Sequence, residues 1–210
     1  ARRTATGPSR SGRLGVTMVM TVLGEVAADQ LGLTLPHEHI LSSQVGYWQM
    51  PAEPERAAIA TGPLRPDLRP ILAEDPYLVH DNLALTSVAD AVEELGRFVA
   101  DGGRTVVEVT PIGLARDPVG LAAIARLTGL NIVMGTGYYV HETHPTWVQV
   151  ASVDQLAEEL MLELTVGVGE TGIPAGIIGE VGCGSPMSET EEKSRRAAAR
   201  AALRTGVSVT

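Results

Sequence analysis

Two histidines separated by a single residue are the part of this sequence best suited to chemistry. His37 and His39 follow the largely apolar segment 33–36 and flank Glu38. Alternate side chains of a β-strand point to the same face, so both imidazoles are expected on one face and Glu38 on the other. Two imidazoles at this spacing can bind one divalent metal ion, and zinc with an open coordination position generates hydroxide near neutral pH. Because the chain has five histidines, such a pair can also arise by chance. The rest of the sequence must therefore show whether this pair binds metal.

Glu180 is a second candidate ligand, because it lies in the apolar segment 175–181. A buried carboxylate must be paired, protonated or bound to metal. The motif at 141–144 is a weaker candidate. It reads His-Glu-Thr-His, whereas the helical zinc-protease motif requires two residues between Glu and the second His. We therefore expect His141 and His144 to be solvent-exposed loop residues, with contact to a substrate as the alternative.

Composition and charge narrow the class of protein. With 210 residues, 44% of them hydrophobic, the chain is long enough for one sizeable core. A formal net charge of −9 argues against nucleic acid or an anionic membrane surface as partner, because both attract clustered Lys and Arg. No apolar segment approaches the ~20 residues of a membrane helix. The single cysteine, Cys183, excludes an intrachain disulfide, fits a cytoplasmic location and is expected to be buried.

Strand and helix patterns alternate from residue 87 onward. The expected helices begin at caps and end at glycines, and strand segments separate them. The caps are Ser87, Asp117, Ser152 and Ser188, and the strand segments are 105–110, 131–134, 175–181 and 207–210. This alternation indicates parallel strands joined by right-handed crossovers, which fits a doubly wound sheet or a (β/α)8 barrel. Polar residues at the strand ends, and the lack of a Gly-x-Gly-x-x-Gly motif, favour the barrel.

Two N-terminal segments fall outside this pattern. Residues 1–19 are rich in Arg, Ser and Gly and lack the apolar core of a signal peptide, so they predict a disordered leader. A short hairpin around Gly24 is expected to follow. Residues 43–82 contain six prolines and predict a long loop, which could line or cover a site.

Taken together, these segments resemble the phosphotriesterase-related family of metal-dependent hydrolases within the amidohydrolase superfamily. The matching segments are TVLG (21–24), LGLTLPHEH (31–39), GRTVVEVT (103–110), GLARD (113–117), GTGYY (135–139) and AGIIGE (175–180). The resemblance implies an α/β fold, the (β/α)8 TIM barrel. Residues 20–210 would form its N-terminal half, with strands 1 to 4 and the start of strand 5.

The resemblance also implies two divalent metal ions, usually Zn2+, at the mouth of the barrel. His37 and His39 match the family's metal-binding pair on the first strand, and Glu180 matches the residue that bridges both ions in the glutamate branch. Tyr139 aligns with an aromatic residue that lines the pocket, so it is the candidate substrate contact. In the family a metal-bridging hydroxide attacks an ester, lactone or organophosphate of a small molecule. Glu108 matches no ligand, so we expect a structural role, either hydrogen-bonded to its neighbours or supporting a metal ligand from behind.

The family's remaining ligands, two histidines and an aspartate that acts as general base, are expected beyond residue 210. We therefore expect an N-terminal fragment with no catalytic base of its own, inactive alone because only His37, His39 and Glu180 would hold the metal. Two alternatives stay open. One is a non-catalytic binding protein on the same fold, and the other is a half-barrel that forms a homodimer through its exposed last strand.

Overall fold

A curled parallel sheet with helices packed against it forms the centre of the fold. The computed structural model describes residues 17–210. Its strands and helices are, in chain order, β1 (Met18–Thr21), β2 (Gly24–Ala27), β3 (Leu33–Glu38), β4 (Ser42–Ser43), α1 (Pro54–Ala60), α2 (Arg69–Glu74), β5 (Ala84–Leu85), α3 (Val88–Ala100), β6 (Gly103–Glu108), α4 (Pro118–Thr128), β7 (Asn131–Thr136), α5 (Val153–Thr165), β8 (Ile177–Ile178) and α6 (Glu189–Thr205).

The central sheet has the strand order β3-β6-β7-β8, and every neighbouring pair is parallel. Beyond β8 a fifth parallel strand begins. The Ile178 N–H donates to the carbonyl of Ser208, and the Thr210 N–H donates to the carbonyl of Ile178. Helices α3, α4 and α5 cross between successive strands, as parallel pairing requires. The half-barrel that the family resemblance implies is confirmed.

The predicted helix starts are also confirmed, because the expected caps form. The hydroxyl of Ser87 accepts the N–H of Asp90 at the start of α3. Ser152 and Ser188 form complete capping boxes with the residues three positions on. These bonds satisfy N–H groups that the first turn of a helix leaves unpaired, typically stabilising the helix by about 1 kcal/mol. Each helix start is therefore determined by residues close together in the chain. The helix starts in turn determine where each loop ends.

The main core lies between the sheet and these helices. Its fully buried side chains come from alternate elements: Val106, Ile132, Met134 and Ile178 from the sheet, Leu121 and Ile124 from α4, and Leu156 and Leu160 from α5. Burying one such side chain stabilises the fold by about 1.5–3 kcal/mol. The strand ends that carry polar residues thus extend from a well-packed core.

Segment 43–82 is not the structureless loop predicted from its prolines. It contains α1, α2 and several single-turn 3-10 helices. A small second core holds it together, formed by Ala60, Leu68, Leu78 and Val79. The Trp48 indole N–H donates to the Leu78 carbonyl at 3.1 Å. The prediction was wrong because Pro54 and Pro70 stand in the first turns of helices, where a missing N–H costs nothing.

The N-terminal hairpin predicted around Gly24 is present at the N-terminal end of the sheet. Strands β1 and β2 pair antiparallel, and the Val22 N–H donates to the Ile132 carbonyl at 2.9 Å. Residues 1–16 of the expected leader lie outside the described residues. Its last two residues, Met18 and Val19, belong to β1, so the boundary of 19 was placed too late. No helix in the described part is both long and apolar enough to cross a membrane.

A buried ion pair ties the loop after β6 to β7 and α5. The Arg116 guanidinium donates to both carboxylate oxygens of Glu163 at 2.8 Å and to the Gly135 carbonyl at 3.0 Å. The Thr136 hydroxyl also donates to Glu163. Both charged side chains are less than a tenth exposed. These bonds fix the C-terminal end of β7, from which the segment carrying Tyr139 leaves the sheet.

Glu191 organises the loop that follows β8. Its side chain is buried and accepts the backbone N–H groups of Ser188 at 2.6 Å, Gly184 at 2.9 Å and His141 at 3.1 Å. Desolvation alone would raise the pKa of this carboxyl, but the hydrogen bonds outweigh it and lower the pKa to about 2. A single carboxylate thus joins the loop after β7 to the loop after β8.

We expect acid to weaken the fold through Glu191. Its folded pKa lies below the ordinary 4.5, so its contribution is complete above about pH 4.5 and is lost as the pH falls towards about 2. Glu191→Gln should reduce the free energy of unfolding near pH 7 by about 1–3 kcal/mol, because the amide leaves a buried N–H unpaired. Urea unfolding at about pH 7 and about pH 3 measures both effects. Glu189→Gln, exposed in the same turn, is the control, and an equal loss at both pH values would contradict the prediction.

Candidate metal centre

The carboxylate of Glu180 lies between the two imidazoles predicted to share a face. Its Oε2 is 3.2 Å from His37 Nε2, and its Oε1 is 3.3 Å from His39 Nε2. The two rings stand nearly perpendicular, with centroids 5.9 Å apart. The three ligand atoms that these residues offer lie within 4.8 Å of one another. The structure therefore brings together all three residues that the sequence analysis selected as metal ligands.

The curl of the sheet is what allows this meeting. His37 lies in β3 and His39 directly follows it, whereas Glu180 follows β8, three strand spacings away. In a flat sheet three spacings would separate the strands by about 14 Å. The Glu180 N–H instead donates to the carbonyl of Val109, at the end of β6, at 2.9 Å. The chain after β8 thus crosses over the end of β7 towards the histidines.

Gly179 permits this crossing. Its φ of 141° is a backbone conformation that residues with a side chain rarely adopt, and its N–H donates to the Thr136 carbonyl at 2.7 Å. An added Cβ would lie 2.5 Å from Thr210 Cγ2 and 2.8 Å from the Thr210 carbonyl oxygen. A glycine is therefore required directly before Glu180, where the fifth strand approaches.

His39 has a second hydrogen-bond partner behind it. Its Nδ1 is 3.0 Å from the hydroxyl oxygen of Thr110. That hydroxyl donates to Glu108, which also accepts the backbone N–H groups of Thr110 and Ile40, each at 3.2 Å. Glu108 is fully buried, and burial raises its pKa to about 7 against the lowering effect of these bonds. The expectation that Glu108 is hydrogen-bonded to its neighbours is confirmed.

Electrostatics at the site favour positive charge. The bond to Glu180 is the largest cause that raises the pKa of His39, opposed by burial and assisted by the charges of Glu180, Glu108 and Glu38. Carboxylates that stabilise an imidazolium stabilise a divalent cation in the same place, because both are positive charges. Negative charge therefore lies between the two imidazoles, on Glu180, and behind His39, on Glu108.

Tyr139 lies beside Glu180. Its ring contacts the backbone of Gly182, where an added Cβ would be 2.6 Å from Tyr139 Cδ2. Burial, followed by the charge of Glu180 and the nearby Tyr77, raises the pKa of Tyr139. The ring of Tyr77 packs against that of Tyr47 at a tilt of 53°, with ring centroids 5.4 Å apart. Segment 43–82 therefore brings two tyrosines near Tyr139. The sequence analysis missed them, although aromatic residues in a proline-rich segment were a usable signal.

Two expectations about neighbouring residues were wrong. His144 is half-buried and packs edge-on against Tyr138, with ring centroids 6.2 Å apart, and burial lowers its pKa. Cys183 is exposed, because it lies in the surface loop after β8, with its Sγ 2.9 Å from Nη1 of Arg195. His141 is exposed as expected and its Nδ1 is 2.8 Å from the Thr190 hydroxyl.

The three converging donors suit zinc. Two imidazole nitrogens and one carboxylate oxygen form a donor set found in catalytic zinc sites, where a fourth position stays open for water. Tetrahedral bonds of about 2.0–2.1 Å place ligand atoms roughly 3.3 Å apart. Each imidazole nitrogen has a different Glu180 oxygen at such a separation, Oε2 at 3.2 Å from His37 and Oε1 at 3.3 Å from His39. His37, His39 and Glu180 could therefore hold one metal ion, and the second oxygen of Glu180 could be shared with another.

Comparison with known proteins identifies similar sequences. The sequence model of the phosphotriesterase family matches residues 17–210. A protein named N-acetyltaurine hydrolase from Rattus norvegicus is 38% identical over 192 residues, which is 91% of this chain and 55% of that protein. The protein of the same name from Dictyostelium discoideum is 33% identical over 211 residues, covering 91% of this chain and 57% of its own length. The chain thus spans about half the length of these relatives.

Solved structures agree in fold. A resiniferatoxin-binding protein from Rhodobacter sphaeroides superposes with a TM-score of 0.88 at 39% identity, covering 90% of this chain and 53% of its own. A phosphotriesterase homology protein from Escherichia coli gives a TM-score of 0.67 at 28% identity, covering 86% and 52%. These coverages leave the remaining part of each structure without a counterpart in the 210 residues.

Proposed function

Because this chain belongs to the phosphotriesterase family, we propose that it supplies the metal-binding half of a zinc-dependent hydrolase. The proposed substrate is a small molecule with an ester, lactone, organophosphate or amide bond. The amide joins this group because the curated relatives include N-acetyltaurine hydrolases. The observation that carries the proposal is the position of Glu180, with one carboxylate oxygen within 3.3 Å of each imidazole Nε2.

Each residue has a defined part in this proposal. His37 and His39 present Nε2 to the metal position, and Glu180 contributes negative charge with an oxygen on each side. Zinc bound there would act as a Lewis acid and lower the pKa of bound water. Tyr139, whose raised pKa keeps its hydroxyl protonated near neutral pH, could donate a hydrogen bond to the substrate oxygen that gains charge.

The remaining ligands and the general base are proposed to come from the half of the relatives that these 210 residues do not cover. We expect the chain alone to bind zinc weakly and to hydrolyse none of a carboxylic ester, a lactone, a phosphotriester and N-acetyltaurine. A version extended to the length of the relatives should hydrolyse at least one of them in a zinc-dependent manner. Metal analysis and product assays measure both. Turnover by the 210-residue chain would contradict the expected inactivity, and an extended version without zinc binding would contradict the proposed function.

A non-catalytic binding protein is the second candidate, favoured by the similarity to the resiniferatoxin-binding protein. It predicts that the extended protein binds a small molecule stoichiometrically in calorimetry without product formation. Homodimerisation of the 210-residue chain through its last strand is a separate proposal. Sedimentation at several concentrations tests it, because a monomer at every concentration would exclude the dimer.

A further inference from the structure

Behind the site, a buried threonine and a buried glutamate are aligned on His39. The chain of contacts runs from His39 Nδ1 to the Thr110 hydroxyl at 3.0 Å and from that hydroxyl to Glu108. Thr110 and Glu108 are both fully buried. They are two residues apart at the end of β6, so their side chains face the same side of the backbone.

The direction of these hydrogen bonds follows from counting protons. Both oxygens of Glu108 accept a backbone N–H, from Ile40 and from Thr110, and the group is ionised above about pH 7, the value to which burial raises its pKa. An ionised carboxylate only accepts, so the single hydroxyl proton of Thr110 goes to Glu108. The hydroxyl oxygen of Thr110 can then only accept from His39, and the proton it accepts is the one on Nδ1. In the neutral ring this places the lone pair on Nε2, 3.3 Å from Glu180 Oε1, whereas Glu180 alone would favour a proton on Nε2.

His37 provides the contrast. Its side chain is 46% exposed against 29% for His39, and among the described residues Glu180 is the only hydrogen-bond partner of its ring. The tautomer of His37 is therefore affected by Glu180, by solvent and by the metal position, but by no buried group behind the ring. Of the two imidazoles, only His39 is oriented from behind by buried groups.

We propose that Thr110 and Glu108 are positioning residues that hold neutral His39 as the Nδ1–H tautomer, ready to bind metal through Nε2. The expected effect on zinc affinity rests on the proposed function, whereas the expected tautomer of His39 does not. Outer partners of this type orient metal-binding histidines, and their loss typically weakens metal binding 10–100-fold. Glu108 also holds the backbone N–H of Ile40, so the same carboxylate fixes the residue next to His39.

The test compares Thr110→Val with Thr110→Ser in the 210-residue chain. Nitrogen NMR at about pH 9, above the ordinary histidine pKa, reads the tautomer of His39 in zinc-free protein that also carries Glu180→Ala, which removes the acceptor facing Nε2. In this background the chain with Thr110 and the Thr110→Ser variant should carry the proton on Nδ1, and Thr110→Val should lose this preference. Chelator competition should then give zinc binding about 10–100-fold weaker for Thr110→Val and close to wild type for Thr110→Ser.

Thr105→Val is the matched control. Thr105 is also fully buried on β6, but its hydroxyl donates to the Leu31 carbonyl at 2.6 Å, at the opposite end of the strand. The Thr105→Val variant should lose about as much stability as Thr110→Val and keep the zinc affinity of the wild type. A His39 proton on Nε2 in the Glu180→Ala background with Thr110 intact would overturn the proposal, as would equal zinc loss in Thr105→Val and Thr110→Val. If the wild type binds no zinc at all, the proposed function fails, and the tautomer measurement still decides this inference.

Discussion

Glu180→Ala is expected to weaken zinc binding by more than about 100-fold. Loss of a group that only hydrogen-bonds to a metal ligand typically weakens metal binding 10–100-fold. Glu180→Ala removes a direct donor, which is also the only carboxylate that contacts both imidazoles in the described chain. Two histidines would remain, with solvent in place of the missing oxygen. Metal analysis after dialysis and competition with a coloured chelator measure the loss.

The fold should tolerate this change. The carboxylate is 15% exposed and its partner His37 is 46% exposed, and ion pairs of exposed groups contribute about 0–1 kcal/mol. We therefore expect the metal-free variant to unfold at nearly the same urea concentration as the metal-free wild type. A large loss of stability would mean that Glu180 acts as a structural group and not as a ligand.

Glu38→Gln is the matched control for Glu180→Ala. Glu38 lies between the two histidines in sequence, but it is not one of the three residues whose ligand atoms converge. Its charge is the smallest of the causes that raise the pKa of His39, so Glu38→Gln should weaken zinc binding far less than Glu180→Ala. Equal losses in Glu38→Gln and Glu180→Ala would contradict the assignment, because general negative charge would then explain the affinity. Glu180→Gln, which keeps the shape and removes the charge, should behave as Glu180→Ala.

Arg116→Met is expected to reduce the free energy of unfolding by about 3–5 kcal/mol. The substitution leaves Glu163 as an unpaired charge in a site less than a tenth exposed, and breaking a buried pair from one side typically costs that much. The Gly135 carbonyl and the Thr136 hydroxyl also lose part of their network. For a chain of this size the melting temperature should fall by roughly 6–20 °C.

Two further variants distinguish an unpaired charge from simple loss of packing. Arg116→Met combined with Glu163→Leu should recover much of the lost stability, because replacing both charges with apolar groups is often neutral. Arg97→Met removes an exposed guanidinium, 68% accessible, and should change stability by less than about 0.5 kcal/mol. If the double variant is no more stable than Arg116→Met, then packing, not charge, dominates at this position.

These two predictions concern connected parts of the molecule. The Arg116–Glu163 pair fixes the end of β7, and the Gly179 N–H is hydrogen-bonded to that same end through the Thr136 carbonyl. Glu180 is therefore positioned by a strand whose own end depends on a buried ion pair. We expect Arg116→Met to weaken zinc binding as well, but less than Glu180→Ala does.

Local features of this protein could be predicted from its sequence. Ser152 and Ser188 start helices because their hydroxyls bond N–H groups only three residues away. The common direction of the His37 and His39 side chains follows from strand geometry over three residues. The alternation of strands and helices then restricts the sheet to parallel pairing. All of these depend on contacts between residues close together in the chain.

Only the tertiary structure decided how distant segments meet. Glu180 reaches the histidines because the sheet curls and Gly179 lets the chain cross the end of β7, which no local pattern indicates. Segment 43–82 folds because four separated apolar side chains bury one another, a gain that appears only once they are close. The hydrogen bond from His39 to Thr110 joins residues 71 positions apart. The sequence thus determined which chemical groups are present, whereas their distances depend on long-range packing, whose free energy is shared among many residues.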